Sequence, residues 1–130
     1  MRPVANSVFN VTDGKGIVLL NRLRVGFSHL REHKFRHNFV DTADPFCNCR
    51  TNSLETTEHF LMHCSDYSNE RLVMFNTLQQ DMSLFPLKPR VLHHILLYGD
   101  PNFSTEKNNE ILSATVKFLV DTGGFSGALF

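Results

Sequence analysis

The chain has 130 residues, with 13 basic and 13 acidic side chains and no formal net charge. That size fits one domain able to bury a modest core, and the near-neutral balance falls short of the strongly basic footprint of a dedicated nucleic-acid binder. No apolar run approaches the ~18 residues of a membrane span, and the opening MRPVANSVFN has no apolar core of a signal peptide.

The balanced total hides a split. Residues 1–50 carry eight Lys/Arg against four Asp/Glu, net +4, and residues 51–130 carry five against nine, net −4. Such a split predicts that the first half, not the second, meets a polyanion.

Residues 1–14, with Pro3, Asn6, Asn10, Asp13 and Gly14, read as an extended lead-in. From Lys15 to Val25 the pattern turns helical, with Leu20, Leu23, Phe27 and Leu30 spaced along one face. Gly26 interrupts this run, and Ser28 is placed to cap a second short helix, HLREHKFRH. Residues 38–56, rich in Asn, Asp, Thr and Pro, read as irregular, and Thr56 or Thr57 can cap a short helix, EHFLMH. A helix over 68–81 is predicted with Ser68 as cap and Leu72, Phe75 and Leu78 as its apolar stripe. Pro86 and Pro89 close the next linker. RVLHHILLY, 90–98, forms a helix ended by Gly99 and Pro101. Ser104 caps a last helix, 105–122, with Ile111, Leu112, Thr115, Phe118 and Leu119 on one face and Gly123–Gly124 at its end. The expectation is a mostly α protein. One domain of five or six helices spans 15–122, with an irregular zinc-knuckle insert at 46–64 and a tail at 123–130.

All three cysteines and two of the seven histidines fall in the insert, FCNCRTNSLETTEHFLMHC. An odd cysteine count, with Cys47 and Cys49 too close together to brace a fold, points to an intracellular, reducing compartment rather than to disulfides. Zinc takes four soft or borderline ligands in a tetrahedron. In extended chain, the i, i+2 spacing of Cys47 and Cys49 puts both sulfurs on one face. His59, ten residues past Cys49, supplies a third donor. The fourth is either His63 or Cys64. On a continuous α-helix His63 lies about 40° from His59 and Cys64 about 140° away. Geometry thus favours His63, and thiolate chemistry favours Cys64. Either set has four protein ligands and no open position, so the expected zinc is structural. Three thiolates on Zn²⁺ leave a local charge of about −1, which Arg50 and the helix start at His59 would offset.

Arg22, Arg24, Arg31, Lys34 and Arg36, with His29, His33 and His37, form a basic stretch interleaved with Phe27 and Phe35. Phosphate contacts with aromatic stacking are one way to hold single-stranded nucleic acid; the other reading is a solvated helix face with both rings in the core. His93 and His94, in an apolar run without a nearby cysteine, read as a partly buried, hydrogen-bonded pair. Asp41 and Asp44 read as turn formers, and no spacing suggests a Ser-His-Asp triad.

Four blocks in order, LLNRLRVGFSHLREHKFRHNF, DPFCNC, ETTEHFLMHC and ILLYGDPNFS, resemble the region that follows the reverse transcriptase in non-LTR (LINE-type) retrotransposons. The resemblance covers about residues 15–122. It implies zinc ligands Cys47, Cys49, His59 and Cys64. It also implies contact of the basic helices with RNA or target DNA, and a partner in the remainder of the retrotransposon polyprotein, with no membrane and no small-molecule substrate. The polymerase hallmark Tyr-x-Asp-Asp has no counterpart: Tyr98-Gly99-Asp100 is followed by Pro101, so the paired aspartates that would hold two Mg²⁺ are missing. No enzymatic activity is expected of this chain. The alternative expectation is a zinc-braced module whose helices, around 90–122, dock on another protein without touching nucleic acid.

Overall fold

The computed structural model describes residues 14–49, 51–79 and 84–123. Except for Gly14 and Gly123, the expected lead-in and tail lie outside them. The chain is mostly helical, as its periodicity predicts. Its elements are α1 (Gly14–Val25), α2 (Arg31–Arg36), a π-helical turn (His59–His63), a 3₁₀ turn (Ser65–Tyr67), α3 (Ser68–Leu78), α4 (Pro89–Tyr98) and α5 (Thr105–Asp121). Among the described residues there is no strand. Phe46 and Leu54 form an isolated antiparallel bridge that pins the irregular insert.

The central element is α5, which packs against α1, α3 and α4. Ser104 caps it as predicted, its hydroxyl accepting the Lys107 N–H at 3.1 Å. Its buried arc is wider than the expected stripe: Ala114 and Val116 join Ile111, Leu112, Phe118 and Leu119. The one buried hydroxyl on that arc is used, since Thr115 Oγ1 donates to Leu96 O of α4 at 2.8 Å. Asn108 clamps the turn between α4 and α5. Its Oδ1 accepts from Asp100 N at 2.9 Å and its Nδ2 donates to Asp100 O at 3.0 Å.

α1 ends where Gly26 stands. Gly26 N–H reaches Leu23 O and Phe27 N–H reaches Arg22 O, the bond pair of a Schellman cap, with Gly26 at φ +75°. Leu20, Leu23 and Leu30 are buried, but Phe27 is 41% exposed and lies edge-on to His37. The second short helix is trimmed to Arg31–Arg36. Ser28 Oγ accepts the Leu30 N–H, while the first helical N–H, that of Arg31, goes to Glu55 Oε1 at 2.7 Å.

α3 departs most from expectation. It stops at Leu78, and Ser68 is its first residue rather than its cap. The buried stripe is Arg71, Met74 and Leu78; Leu72, expected in the core, is 58% exposed. Arg71 causes the rotation. Its guanidinium donates to Leu61 O at 2.8 Å and Phe60 O at 2.9 Å, which turns the Arg71 face inward.

Gly16 marks the closest approach of α1 to α5. A Cβ there would collide with Val116 Cγ1 and press on Val120 Cγ2 at 3.3 Å. Val116 is buried and β-branched, so it has little rotameric escape. Gly16→Leu is expected to destabilise the fold by about 1–3 kcal/mol through overpacking. Gly14→Ala, built into open space, should stay within about 0.5 kcal/mol of the native chain. Urea denaturation of both variants checks the contrast.

Candidate metal centre

Two chain segments bring the donors together. The first is the loop at residues 46–55. Its ends are paired by Cys47 N–H to Ser53 O at 2.8 Å and Glu55 N–H to Pro45 O at 2.9 Å, which turns Cys47 and Cys49 toward the protein. The second is the turn that starts at Thr56, whose hydroxyl accepts the His59 N–H at 3.1 Å, one of the two caps expected from sequence.

That turn is π-helical. Cys64 N–H donates to His59 O at 2.8 Å, an i to i−5 bond in place of the α-helical i to i−4 bond. The extra residue per turn brings Cys64 back over His59, and Cys64 then leaves the helix at φ −65°, ψ 124°. His63 faces elsewhere. Its Nε2 lies 3.1 Å from Glu58 Oε2 on the surface.

Cys47, Cys49, His59 and Cys64 are all buried, and one donor atom from each lies within 4.8 Å of the others, so the four could hold a metal ion. Cys47 Sγ is 3.6 Å from Cys64 Sγ, and Cys49 Sγ is 3.3 Å from His59 Nε2. Burial pushes the Cys47 and Cys64 thiols up. The Thr51 hydroxyl, 3.0 Å from the sulfur, draws Cys49 down. Burial also lowers His59, which keeps its imidazole in the neutral form that can ligate. These shifts set the task of an ion: a divalent cation would stabilise the thiolates that burial otherwise penalises.

Several supporting residues carry no metal-ligand signature in the sequence. Glu55 is the main one. Its amide closes the loop, its carbonyl accepts Glu32 N–H, and its carboxylate accepts Arg31 N–H while lying 3.9 Å from Cys47 Sγ. Burial raises its pKa. Arg71 takes the carbonyls of Phe60 and Leu61 and places a buried cation beside Cys64, where the sequence suggested Arg50. Arg50 lies outside the described residues. Tyr67 packs on both the sulfur cluster and the helical core.

Four of the five expected nucleic-acid residues have partners within the protein. Arg24 Nε donates to Leu97 O at 2.6 Å, and its guanidinium lies over the Tyr98 ring. Arg31 pairs with Asp44 at 3.3 Å, Lys34 with Asp41 at 3.2 Å and Arg36 with Glu32 at 2.8 Å. Arg22 sits half-buried on α1. His93 is half-buried with Nδ1 3.2 Å from Pro89 O, and His94 is exposed against Tyr98. No described helix is long and apolar enough to cross a membrane.

No family model, curated protein or solved structure matches this chain.

His33 ties α2 to the π turn. The Ser28 N–H points at Nδ1 from 3.3 Å, so Nδ1 accepts and Nε2 carries the proton toward Thr57 Oγ1, 3.2 Å away. Burial, followed by the charge of Arg36, lowers the His33 pKa to about 4. An unfolded histidine titrates near 6.5. Between those values the unfolded chain binds the proton and the folded one does not, so the stabilising contribution is full above pH 6.5 and is lost as pH falls through about 4. His33→Asn is expected to be less stable than the native chain at pH 7.5, with the gap narrowing steadily toward pH 4. Denaturation curves of both proteins across that range, recorded in the presence of a chelator, test it.

Proposed function

We propose that this chain is a non-catalytic, zinc-braced helical module that acts by presenting its surface to another macromolecule. The observation that carries the reading is the closed donor set: three sulfurs and one imidazole, all buried, around one point. Zn–S bonds of about 2.3 Å and Zn–N bonds of about 2.0–2.1 Å in a tetrahedron give edges of about 3.8 Å between sulfurs and about 3.6 Å from sulfur to nitrogen. The 3.6 Å and 3.3 Å separations fall close to those edges. A three-thiolate, one-imidazole set favours Zn²⁺ over Mg²⁺ or Ca²⁺, which take oxygen. All four positions are filled by protein, so no site remains for a bound water or substrate. Zinc here would hold residues 46–64 against the helices, with Cys47, Cys49, His59 and Cys64 as its ligands.

The expected content is one zinc per chain by elemental analysis. Cys64→Ser and Cys49→Ser should lose it, and His63→Ala should retain it. Cobalt substitution should give the intense visible bands of a tetrahedral thiolate site. Loss of zinc in His63→Ala with retention in Cys64→Ser would reverse the ligand choice.

A protein partner is favoured over nucleic acid because Arg31, Lys34 and Arg36 already face carboxylates. One observation favours the nucleic-acid reading that the retrotransposon resemblance implies. Phe35, 45% exposed, lies between Lys34 and Arg36 in sequence, an arrangement suited to base stacking beside phosphate contacts. If that reading holds, single-stranded RNA or DNA is shifted in a gel at low salt, and the shift is lost in Lys34→Glu/Arg36→Glu and weakened in Phe35→Ala. No shift at low salt leaves the protein-partner reading standing, and a shift unchanged by those substitutions removes these residues as the contact.

A further inference from the structure

The negative charge of the second half gathers along one groove. α3 and α5 line a channel of about 440 Å³. From α3 come Glu70, Val73, Met74 and Thr77, at i, i+3, i+4 and i+7, a single helix face. From α5 comes a face running from Glu106 to Asp121, a length of about 22 Å at 1.5 Å per residue. The floor is apolar: Met74, Ala114 and Phe118 are buried core residues, and Val73 is 45% exposed above them. The rim is acidic: Glu70, Glu106, Glu110 and Asp121 against Lys117 alone, a net −3 from four acids and one base. Lys117 is engaged by Asp121 at 2.7 Å and offers little to an incoming anion.

We propose that this groove is a docking site for a cationic amphipathic helix of a partner protein. The α5 wall is about four helical turns long and the α3 wall, from Glu70 to Thr77, about two, so about two turns of a bound helix lie between both walls. A helix laid in a groove anchors through residues at i, i+3, i+4 and i+7, and the apolar floor, with the deformable Met74, receives such anchors. The acidic rim selects lysine and arginine on the helix flanks and repels acidic helices, so charge sets partner choice and approach. The proposal deepens the reading of the chain as a zinc-braced interaction module and rests on it. α3 follows the π turn after a single 3₁₀ turn and is fixed to it by Arg71, so the metal centre sets where one wall of the groove stands.

The test titrates the full, zinc-loaded chain with a synthetic leucine–lysine amphipathic helix of about 14 residues, and separately with its leucine–glutamate counterpart. Binding is read by fluorescence anisotropy and by amide chemical shifts. The expected result is shifts confined to α3 and α5 and binding of the glutamate peptide at least about tenfold weaker. The Glu106→Lys/Glu110→Lys protein should also bind the lysine peptide at least about tenfold more weakly with its zinc content unchanged. Val73→Asp should reduce binding as well. Several results would overturn the proposal: no binding, equal affinity for the two peptides, affinity untouched by the charge reversals, or shifts on another face. Concentration-dependent dimerisation that protects α3 and α5 would make a second copy the occupant and overturn it too. Zinc is measured in the same samples. A chain that holds zinc but ignores the peptide removes the groove alone, and a chain that holds no zinc removes the module reading beneath it.

Discussion

The centre depends on one hydrogen bond, from the Cys64 amide to the His59 carbonyl at 2.8 Å. It widens a helical turn by one residue and so lets the six residues from His59 to Cys64 serve two surfaces. His59 and Cys64 look toward Cys47 and Cys49, while Phe60 and Leu61 are fully buried in the helical core. The Phe60 ring is packed at 5.2–5.5 Å from His29, Tyr67 and Phe118, which fixes the π turn against the loop before α2, the 3₁₀ turn and α5. A π turn is rare because it surrenders regular hydrogen bonding. Arg71 offsets that cost by donating to the carbonyls of Phe60 and Leu61, which would otherwise stand buried near a helix end.

The loop carrying Cys47 and Cys49 has little structure of its own. A single bridge, a few backbone bonds and the Glu55 side chain define it. Glu55 joins it to the start of α2, His33 joins α2 to Thr57, and Tyr67 joins the sulfurs to the core. Each tie is modest, of order 1 kcal/mol net for a typical hydrogen bond. Three buried thiols and a buried imidazole add few attractive contacts to compensate. A metal ion would bind all four at once, and its binding free energy would appear directly as folding free energy of this segment. α2 and the loop thus form one structural unit, and the charges of α2 are spent inside it: Arg31 on Asp44, Arg36 on Glu32.

The sequence displayed those features that follow from local chemistry. Gly26 and Gly99 stop α1 and α4, with φ of +75° and +71°, because the chain must turn there in a conformation other residues resist. Ser104 and Thr56 cap their helices through their own hydroxyls, within three residues. The clustering of three cysteines and His59 was equally visible. What stayed hidden depends on contacts distant in sequence. The burial of Arg71 in place of Leu72 is set by carbonyls ten and eleven residues earlier. Cys64 was legible as a donor from thiolate chemistry and from the resemblance, but the π turn that brings it to the converging point is something no spacing rule for an α-helix encodes. Arg24 looks in sequence like one more cation of a basic stretch, yet its guanidinium meets a carbonyl 73 residues away on α4.

The charge split between the halves takes on a different meaning in three dimensions. In sequence, net +4 followed by net −4 suggests a basic half facing a polyanion. In the fold, three of the basic half's cations are matched by Asp44, Asp41 and Glu32 from the same half, and Arg24 is turned into the α1–α4 contact. The acids of the second half are less internally matched. Four of the nine line one groove with one lysine among them. Ion pairs on an exposed surface contribute little to stability, so like charges gathered on a rim do little for the fold. Their effect is on what approaches: a field of one sign over an apolar floor raises the encounter rate of oppositely charged partners and rejects others. By this reasoning the acidic rim bears on what approaches the chain, while Arg24, Arg31, Lys34 and Arg36, four of the first half's eight cations, help to hold α1, α2 and the cysteine loop in place.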